Sequence, residues 1–105
     1  MKQFNDDWTM LDKISYLQKM ILVNSMLYYK HNTNAMSDLE YDSISEQLVS
    51  YMKLCPESKY ISRYAYVFYD YDGTTGFHLS NRLEPVDYQM VSITVEIYLN
   101  NKRRY

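Results

Sequence analysis

The chain has little of the residues that build turn-rich folds. Of its 105 residues only two are Gly and two are Pro. Barrels and sandwiches made of many short strands need frequent turns, so this scarcity argues against them and favours helices. The single Cys, Cys55, excludes an internal disulfide and is typical of a reducing compartment.

The chain also lacks an excess of positive charge and a long apolar run. Eleven Lys and Arg face thirteen Asp and Glu, for a formal net charge of −2 at pH 7. Nucleic-acid-binding domains normally carry a basic face, so direct nucleic-acid binding is not expected. The run Met20–Val23 is far too short to cross a bilayer, and the first residues have no apolar stretch that could act as a signal peptide. We therefore expect a cytoplasmic protein without membrane contact.

The composition is sufficient for one core and is unusually rich in tyrosine. Hydrophobic residues make up 47% of the chain, which predicts a single domain over residues 1–105. Tyr occurs 13 times, against three Phe and one Trp. AT-rich coding favours Tyr, as in phages of low-GC bacteria. Tyr also offers a large rigid contact area with a polar tip, which suits binding surfaces.

Two amphipathic helices are predicted in the first half of the chain. Apolar residues recur at intervals of three and four over residues 8–31 and again over residues 38–54. Ser37 and Glu40 have the spacing of a capping box at the start of the second helix. Because the connecting loop is short, the helices should form an antiparallel hairpin. Four side chains are expected to be buried between them: Met26, Leu27, Ile44 and Leu48.

A small β-hairpin is predicted after the second helix. Residues 64–70 alternate in polarity and are rich in aromatic side chains. The run Asp70-Tyr71-Asp72-Gly73 has the composition of a turn, and residues 76–79 would form the returning strand.

The C-terminal segment, residues 86–100, fits two patterns. A strict alternation is typical of a strand and involves Val91, Ile93, Val95, Ile97 and Leu99. A longer series at intervals of four and three is typical of a helix and involves Leu79, Leu83, Val86, Met90, Ile93 and Ile97. Pro85 suits a helix start. We therefore predict a C-terminal helix and a mostly α fold with one small β-hairpin.

One motif in the first half is more specific than a generic helix hairpin. The pair Tyr28-Tyr29 is followed after eight residues by Asp38-Leu39-Glu40-Tyr41-Asp42, and then by Cys55-Pro56-Glu57 at the predicted helix end. This pattern resembles the small N-terminal Ia region of bacterial NAD-dependent DNA ligases. That family shows a Tyr followed by His or Tyr, then Asp-x-x-Tyr-Asp, then a His-Pro-Glu-like helix end. The resemblance covers residues 11–58 without a gap.

The resemblance implies a site for the nicotinamide mononucleotide half of NAD. The family's contact positions fall on the following residues of this chain: Tyr28, Tyr29, Asp38, Tyr41 and Asp42. The nicotinamide ring is flat and cationic, so a Tyr face can stack on it and carboxylates can offset its charge. Simpler explanations exist, because Asp38 also favours a helix start and Tyr28 and Tyr41 also fit an aromatic seam between helices.

No catalytic machinery is expected. The ligases carry a Lys-x-Asp-Gly motif in a following domain, for which this chain has no room. Its nearest string, Asp70-Tyr71-Asp72-Gly73, has Asp in place of Lys and cannot form the phosphoramide. The same string is an incomplete calcium loop, and His31 and His78 lack partners at zinc spacing. We predict no catalytic residue, no metal site and no required cofactor.

Two functions are then open for a non-enzymatic module. In the preferred one, a phage or mobile-element protein binds a host protein and inhibits a defence enzyme, as anti-CRISPR proteins do. The acidic balance and the many Tyr suit docking on a basic enzyme. Because the last third is heavily aromatic, the partner contact is expected at Tyr66, Tyr69 and Tyr71. In the alternative, the Ia-like positions bind or sequester NAD, nicotinamide mononucleotide or an NAD-derived signal nucleotide.

Overall fold

The structure, a computed structural model, describes residues 4, 6–33, 36–73 and 78–103. It is mostly helical, which confirms the predicted fold class. The elements in chain order are α1 (Met10–His31), α2 (Asp38–Leu54), α3 (Ser58–Ile61), α4 (Ala65–Phe68), a 3₁₀ helix (Leu79–Arg82) and α5 (Pro85–Arg103). Within the described ranges, no helix is long and apolar enough to cross a membrane.

The two long helices of the first half begin at capping boxes. The Thr9 hydroxyl accepts from the N–H of Asp12 at 3.1 Å, and the Asp12 carboxylate accepts from the N–H of Thr9 at 2.9 Å. Ser37 and Glu40 cap α2 in the same reciprocal way. These side chains satisfy N–H groups that have no partner inside the helix. The helix starts are therefore set by residues three positions apart.

Helix α1 lies at the centre of the core, and both α2 and α5 pack against it. Met26, Leu27 and Leu48 are buried as predicted, and Ile44 is partly buried. Ser25, late in α1, lies close to Tyr41, early in α2. After α2, Ser62 and Tyr64 hydrogen-bond to the side chain of Gln18 in the middle of α1. Helix α2 therefore runs back along α1, as an antiparallel hairpin requires.

The predicted β-hairpin is wrong. Residues 65–68, expected in its first strand, form α4, and no strand occurs in the part of the chain that the structure describes. Residues 74–77, with half of the expected second strand, lie outside the described residues, and Leu79 in its other half begins the 3₁₀ helix. Tyr64, Val67 and Phe68 are buried at helical rather than strand spacing. Their neighbouring backbone groups bond locally or to side chains, so no partner strand is needed.

The C-terminal helix is confirmed, but most of the series that predicted it does not face the core. Val91 and Val95 on α5 are buried against α1, while the intervening Ile93 is half exposed. Only the early members of the four-and-three series, Leu79 and Leu83, pack against the core. The later members point away from it. Helix α5 thus has apolar side chains on two opposite faces, of which one is covered.

Candidate functional site

Tyr28 and Tyr29 form a half-exposed aromatic pair in the last turn of α1. Their rings meet edge to face, with centroids 4.8 Å apart and an interplanar angle of 80°. Each ring therefore keeps surface open to solvent at the end of the helix. This exposure leaves room for a ligand to stack there.

Asp38 and Asp42 lie one turn apart at the start of α2, and both are exposed. Asp42 lines a cleft of about 380 Å³ that runs along α2 towards the chain near Gly73. The lining is Asp42, Ser45, Glu46, Val49, Ser50, Asp72 and Gly73. Three carboxylates make this cleft acidic. Among the described residues, no group of three or more His, Cys, Asp or Glu side chains could hold a metal ion.

A second cleft of about 390 Å³ adjoins the acidic one and shares Val49 and Asp72 with it. Its other lining residues are Met52, Lys53, Pro56, Lys59 and Tyr71. Lys53 follows Asp42 at helical intervals of four, three and four residues, so both lie along one side of α2. Sequence reasoning missed this lysine, although the interval was present in the chain.

The chain after α4 passes close to α2 at Gly73, and this position requires a glycine. Gly73 has φ of +92°, in the left-handed region that side chains rarely adopt. A Cβ built there would also lie 3.2 Å from Cγ2 of Val49. Gly73 therefore lets the backbone pass close to α2 where the two clefts adjoin.

Tyr41 belongs to a hydroxyl cluster rather than to an open aromatic face. It is partly buried, and it lies close to the hydroxyls of Tyr71, Ser45 and Ser25. The Tyr71 hydroxyl lies 2.9 Å from Oγ of Ser45. Burial raises the pKa of both tyrosine hydroxyls, so both remain protonated at neutral pH. Tyr41 therefore joins α2 to the chain after α4, and its side chain is tied to the fold.

Tyr71 is separated from the other two predicted partner contacts. Its ring packs edge to face on Phe68, with centroids 5.2 Å apart, and its hydroxyl faces α2. Tyr69 lies instead beside the 3₁₀ helix, where its ring covers the guanidinium of Arg82 at 4.7 Å from the ring centroid. The structure therefore does not bring Tyr66, Tyr69 and Tyr71 together on one surface.

Arg82 is held in place under Tyr69 by three hydrogen bonds. Its two terminal nitrogens donate to the Asp70 carboxylate at 2.7 and 3.0 Å, and one of them also donates to the carbonyl of Val67 at 2.8 Å. The guanidinium holds the pKa of the Asp70 carboxyl below its usual value. Tyr69 is 56% exposed above this fixed group.

Asp87, in the first turn of α5, is the centre of a second polar cluster. Arg63 donates to both of its carboxylate oxygens, and the Tyr66 hydroxyl donates to one of them. The Tyr66 oxygen also accepts from the N–H of Glu84 at 3.0 Å. Burial and this carboxylate raise the pKa of Tyr66 to about 12, while Arg63 lowers the pKa of Asp87. Tyr66 and Arg63 precede Asp87 by 21 and 24 residues in sequence, so local sequence patterns did not identify this cluster.

Comparisons of the chain with protein-family models, with curated proteins and with solved structures find no match. The resemblance to the ligase Ia region therefore rests on the residue pattern quoted above. Of its five positions, Tyr28 and Tyr29 present aromatic surface and Asp38 and Asp42 are exposed. Tyr41 is tied into the hydroxyl cluster.

Proposed function

We propose that this chain is a non-catalytic protein-binding domain whose contact surface is centred on Tyr69 and Arg82. One observation carries the proposal: a more than half-exposed tyrosine ring lies on a guanidinium that is itself held by three hydrogen bonds. Tyr and Arg are enriched among the residues that dominate the energy of protein interfaces. Side chains that are already ordered also lose less entropy when a partner binds.

Tyr66 extends this surface along α4. It lies three residues before Tyr69, one helical turn away, and its hydroxyl is anchored by Asp87 and Glu84. Both arginines of this region are paired with carboxylates, so neither charge is left uncompensated. Following the expectation from the sequence, we take the partner to be a host defence enzyme. The net negative charge of the chain would favour a basic one.

Replacing Tyr69 tests the surface directly. The tagged full chain would be incubated with host lysate, the retained protein identified by quantitative mass spectrometry, and its affinity measured by calorimetry on purified components. We expect Tyr69→Ala to weaken this binding by roughly 30-fold, as a hot-spot residue would. Tyr69→Phe should bind nearly as well as the original chain, because it keeps the stacked ring.

Tyr60→Ala is the matched control for that experiment. Tyr60 is 83% exposed but lies on α3, so it represents an exposed tyrosine outside the Tyr69 surface. Its loss should change the affinity little. Equal binding by Tyr69→Ala and the original chain would contradict the proposed surface.

The absence of catalysis has its own test. The chain would be incubated with Mg²⁺ and with NAD labelled in its adenylate. We expect no label on the protein, because an adenylylated lysine needs the ligase motif that this chain lacks. Covalent labelling of any lysine would overturn the non-catalytic proposal.

A second candidate function, binding of a nicotinamide nucleotide, is favoured by the two adjoining clefts of opposite charge. Asp42 and Glu46 line one, and Lys53 and Lys59 line the other. Nicotinamide mononucleotide carries a cationic ring and an anionic phosphate, so its two ends match this polarity. A binding site without a second domain to close over the ligand would give an affinity on the order of micromolar to millimolar.

Calorimetry with nicotinamide mononucleotide tests this candidate. Asp42→Ala and Lys53→Ala should each reduce the binding heat, and Lys13→Ala on α1 should leave it unchanged. Tyr41→Ala is unsuitable because Tyr41 packs against the core, and its loss would disturb the fold. No binding heat at millimolar ligand would remove the candidate and leave the protein-binding proposal intact.

A further inference from the structure

The outer face of α5 carries a row of apolar side chains that nothing in the described structure covers. They are 50–70% exposed, and we call them the outward seam: Val86, Met90, Ile93 and Ile97. At 100° per residue the seam points nearly opposite to the buried Val91 and Val95. It is about 16 Å long at the helical rise per residue. Single exposed aliphatic residues are common, but four in one row are typical of a contact surface.

The spacing of the seam is self-complementary. Its intervals are four, three and four residues, as at the a and d positions of a coiled coil, and they read the same in both directions. A second α5 running antiparallel would therefore place Val86 opposite Ile97 and Met90 opposite Ile93. Each of the four side chains would meet an apolar side chain across a twofold axis, which is the geometry of an isologous dimer.

The residues beside the seam fit the same arrangement. Gln89 and Glu96 lie on one side, and Asp87, Thr94 and Asn101 lie on the other. In the antiparallel pairing, the Gln89 amide of each copy lies opposite the Glu96 carboxylate of the other and can donate to it. No like charges meet. Helices that select a different partner usually carry charged residues on these flanks. Here three of the five are neutral, and Asp87 is already paired with Arg63 of its own chain.

We infer that a second copy of this chain packs antiparallel on the outward seam. The four exposed side chains amount to roughly 400 Å² on each copy, so with the flanks the dimer would reach the low end of specific interfaces, about 1,000 Å² in total. Because association itself costs several kcal/mol, we expect a weak dimer from so small an interface, with a dissociation constant on the order of micromolar. The inference is independent of the Tyr69 surface and would present two copies of it.

Sedimentation velocity of the full chain over about 1–500 μM tests the dimer. The weight-average mass should rise from 12.7 kDa towards twice that value. Ile93→Asp, at the centre of the seam, should remain monomeric throughout, with unchanged helical circular dichroism because Ile93 lies outside the core. Leu39→Asp is the matched control: it replaces an 81% exposed leucine on α2 and should still dimerise.

Engineered cysteines test the direction of packing. On a Cys55→Ser background, a mixture of Val86→Cys and Ile97→Cys chains should form disulfide-linked pairs under mild oxidation. Val86→Cys alone should not, because in an antiparallel pair its two thiols would be about 16 Å apart, beyond the reach of a disulfide. The inference is wrong if the original chain stays monomeric, if Ile93→Asp still dimerises, or if Val86→Cys cross-links only to itself.

Discussion

The α1–α2 pair and the segment between α2 and α5 are held in place by different kinds of contact. The long helices are capped by residues three positions away in sequence, and apolar side chains of both pack in the common core. The described part of residues 55–84 contains only short helices. Their polar contacts reach across the fold, as in the hydrogen bonds that Gln18 donates to Ser62 and that Arg63 donates to Asp87.

The two kinds of contact have different roles. The α1–α2 contacts support the whole fold, whereas the long-range polar contacts position one surface. Removing a side chain from the α1–α2 face should lower global stability, because the entire core depends on it. Removing one of the long-range polar contacts should loosen chiefly the segment that it holds, since parts of a protein open with different free energies. The Tyr69 surface lies in that segment, so its order depends on those contacts.

The largest effect is expected from Leu48→Ala on α2. Leu48 is fully buried in the core, and loss of its side chain should lower the free energy of unfolding by about 2–5 kcal/mol. Urea unfolding followed by circular dichroism measures this change. Leu39→Ala, at an exposed position of the same helix, should cost less than about 0.5 kcal/mol. A loss below about 1 kcal/mol for Leu48→Ala would contradict the assigned core face.

A smaller effect is expected from Gln18→Leu on α1. The buried Gln18 side chain accepts from the N–H of Tyr64 at 3.2 Å and donates to Oγ of Ser62 at 3.1 Å. Leucine is of similar size but leaves both groups without this partner, at a cost of about 2 kcal/mol.

Hydrogen exchange locates the consequence of that substitution. Exchange should quicken most around residues 62–68, while amides of α2 stay protected. Gln47→Leu is the control, because Gln47 bonds only one turn along its own helix, to Tyr51 at 3.0 Å. Equal acceleration along the whole chain would show that the segment is not a separate cooperative unit.

The smallest effect is expected from Asp87→Asn and depends on pH. Arg63 holds the pKa of Asp87 below its unfolded value, so the stabilisation is present above about pH 4 and is lost as the pH falls through the folded pKa. Because Arg63 is half exposed, the loss at neutral pH should be only about 1 kcal/mol.

Urea unfolding between pH 7 and pH 3 measures the acid slope. The original chain should lose stability towards pH 3, and Asp87→Asn should lose less. Part of the slope should remain, because Arg82 also lowers the pKa of Asp70. Identical slopes for the two chains would show that the Arg63–Asp87 pair does not contribute to stability.

The sequence was informative where bonds join near neighbours. The capping box of Ser37 and Glu40 located the start of α2, and the apolar repeat located most of its buried side. Prediction failed at residues 64–70, where alternation of aromatic and polar residues indicated a strand. There the backbone forms local helical bonds, while Gln18 and Arg82 supply partners from distant positions.

Local periodicity and capping chemistry by themselves determined that this protein is mostly helical and where α2 begins, and they favoured a helix over a strand in the C-terminal segment. Periodicity and capping both depend on residues three or four positions apart, so they can be read directly from the sequence. Only the tertiary structure decided which face of α5 is covered, that Tyr41 and Tyr71 turn inward, and that Arg82 lies beneath Tyr69. Periodicity shows that a helix has an apolar face, but which face is buried depends on how the distant α1 packs against it.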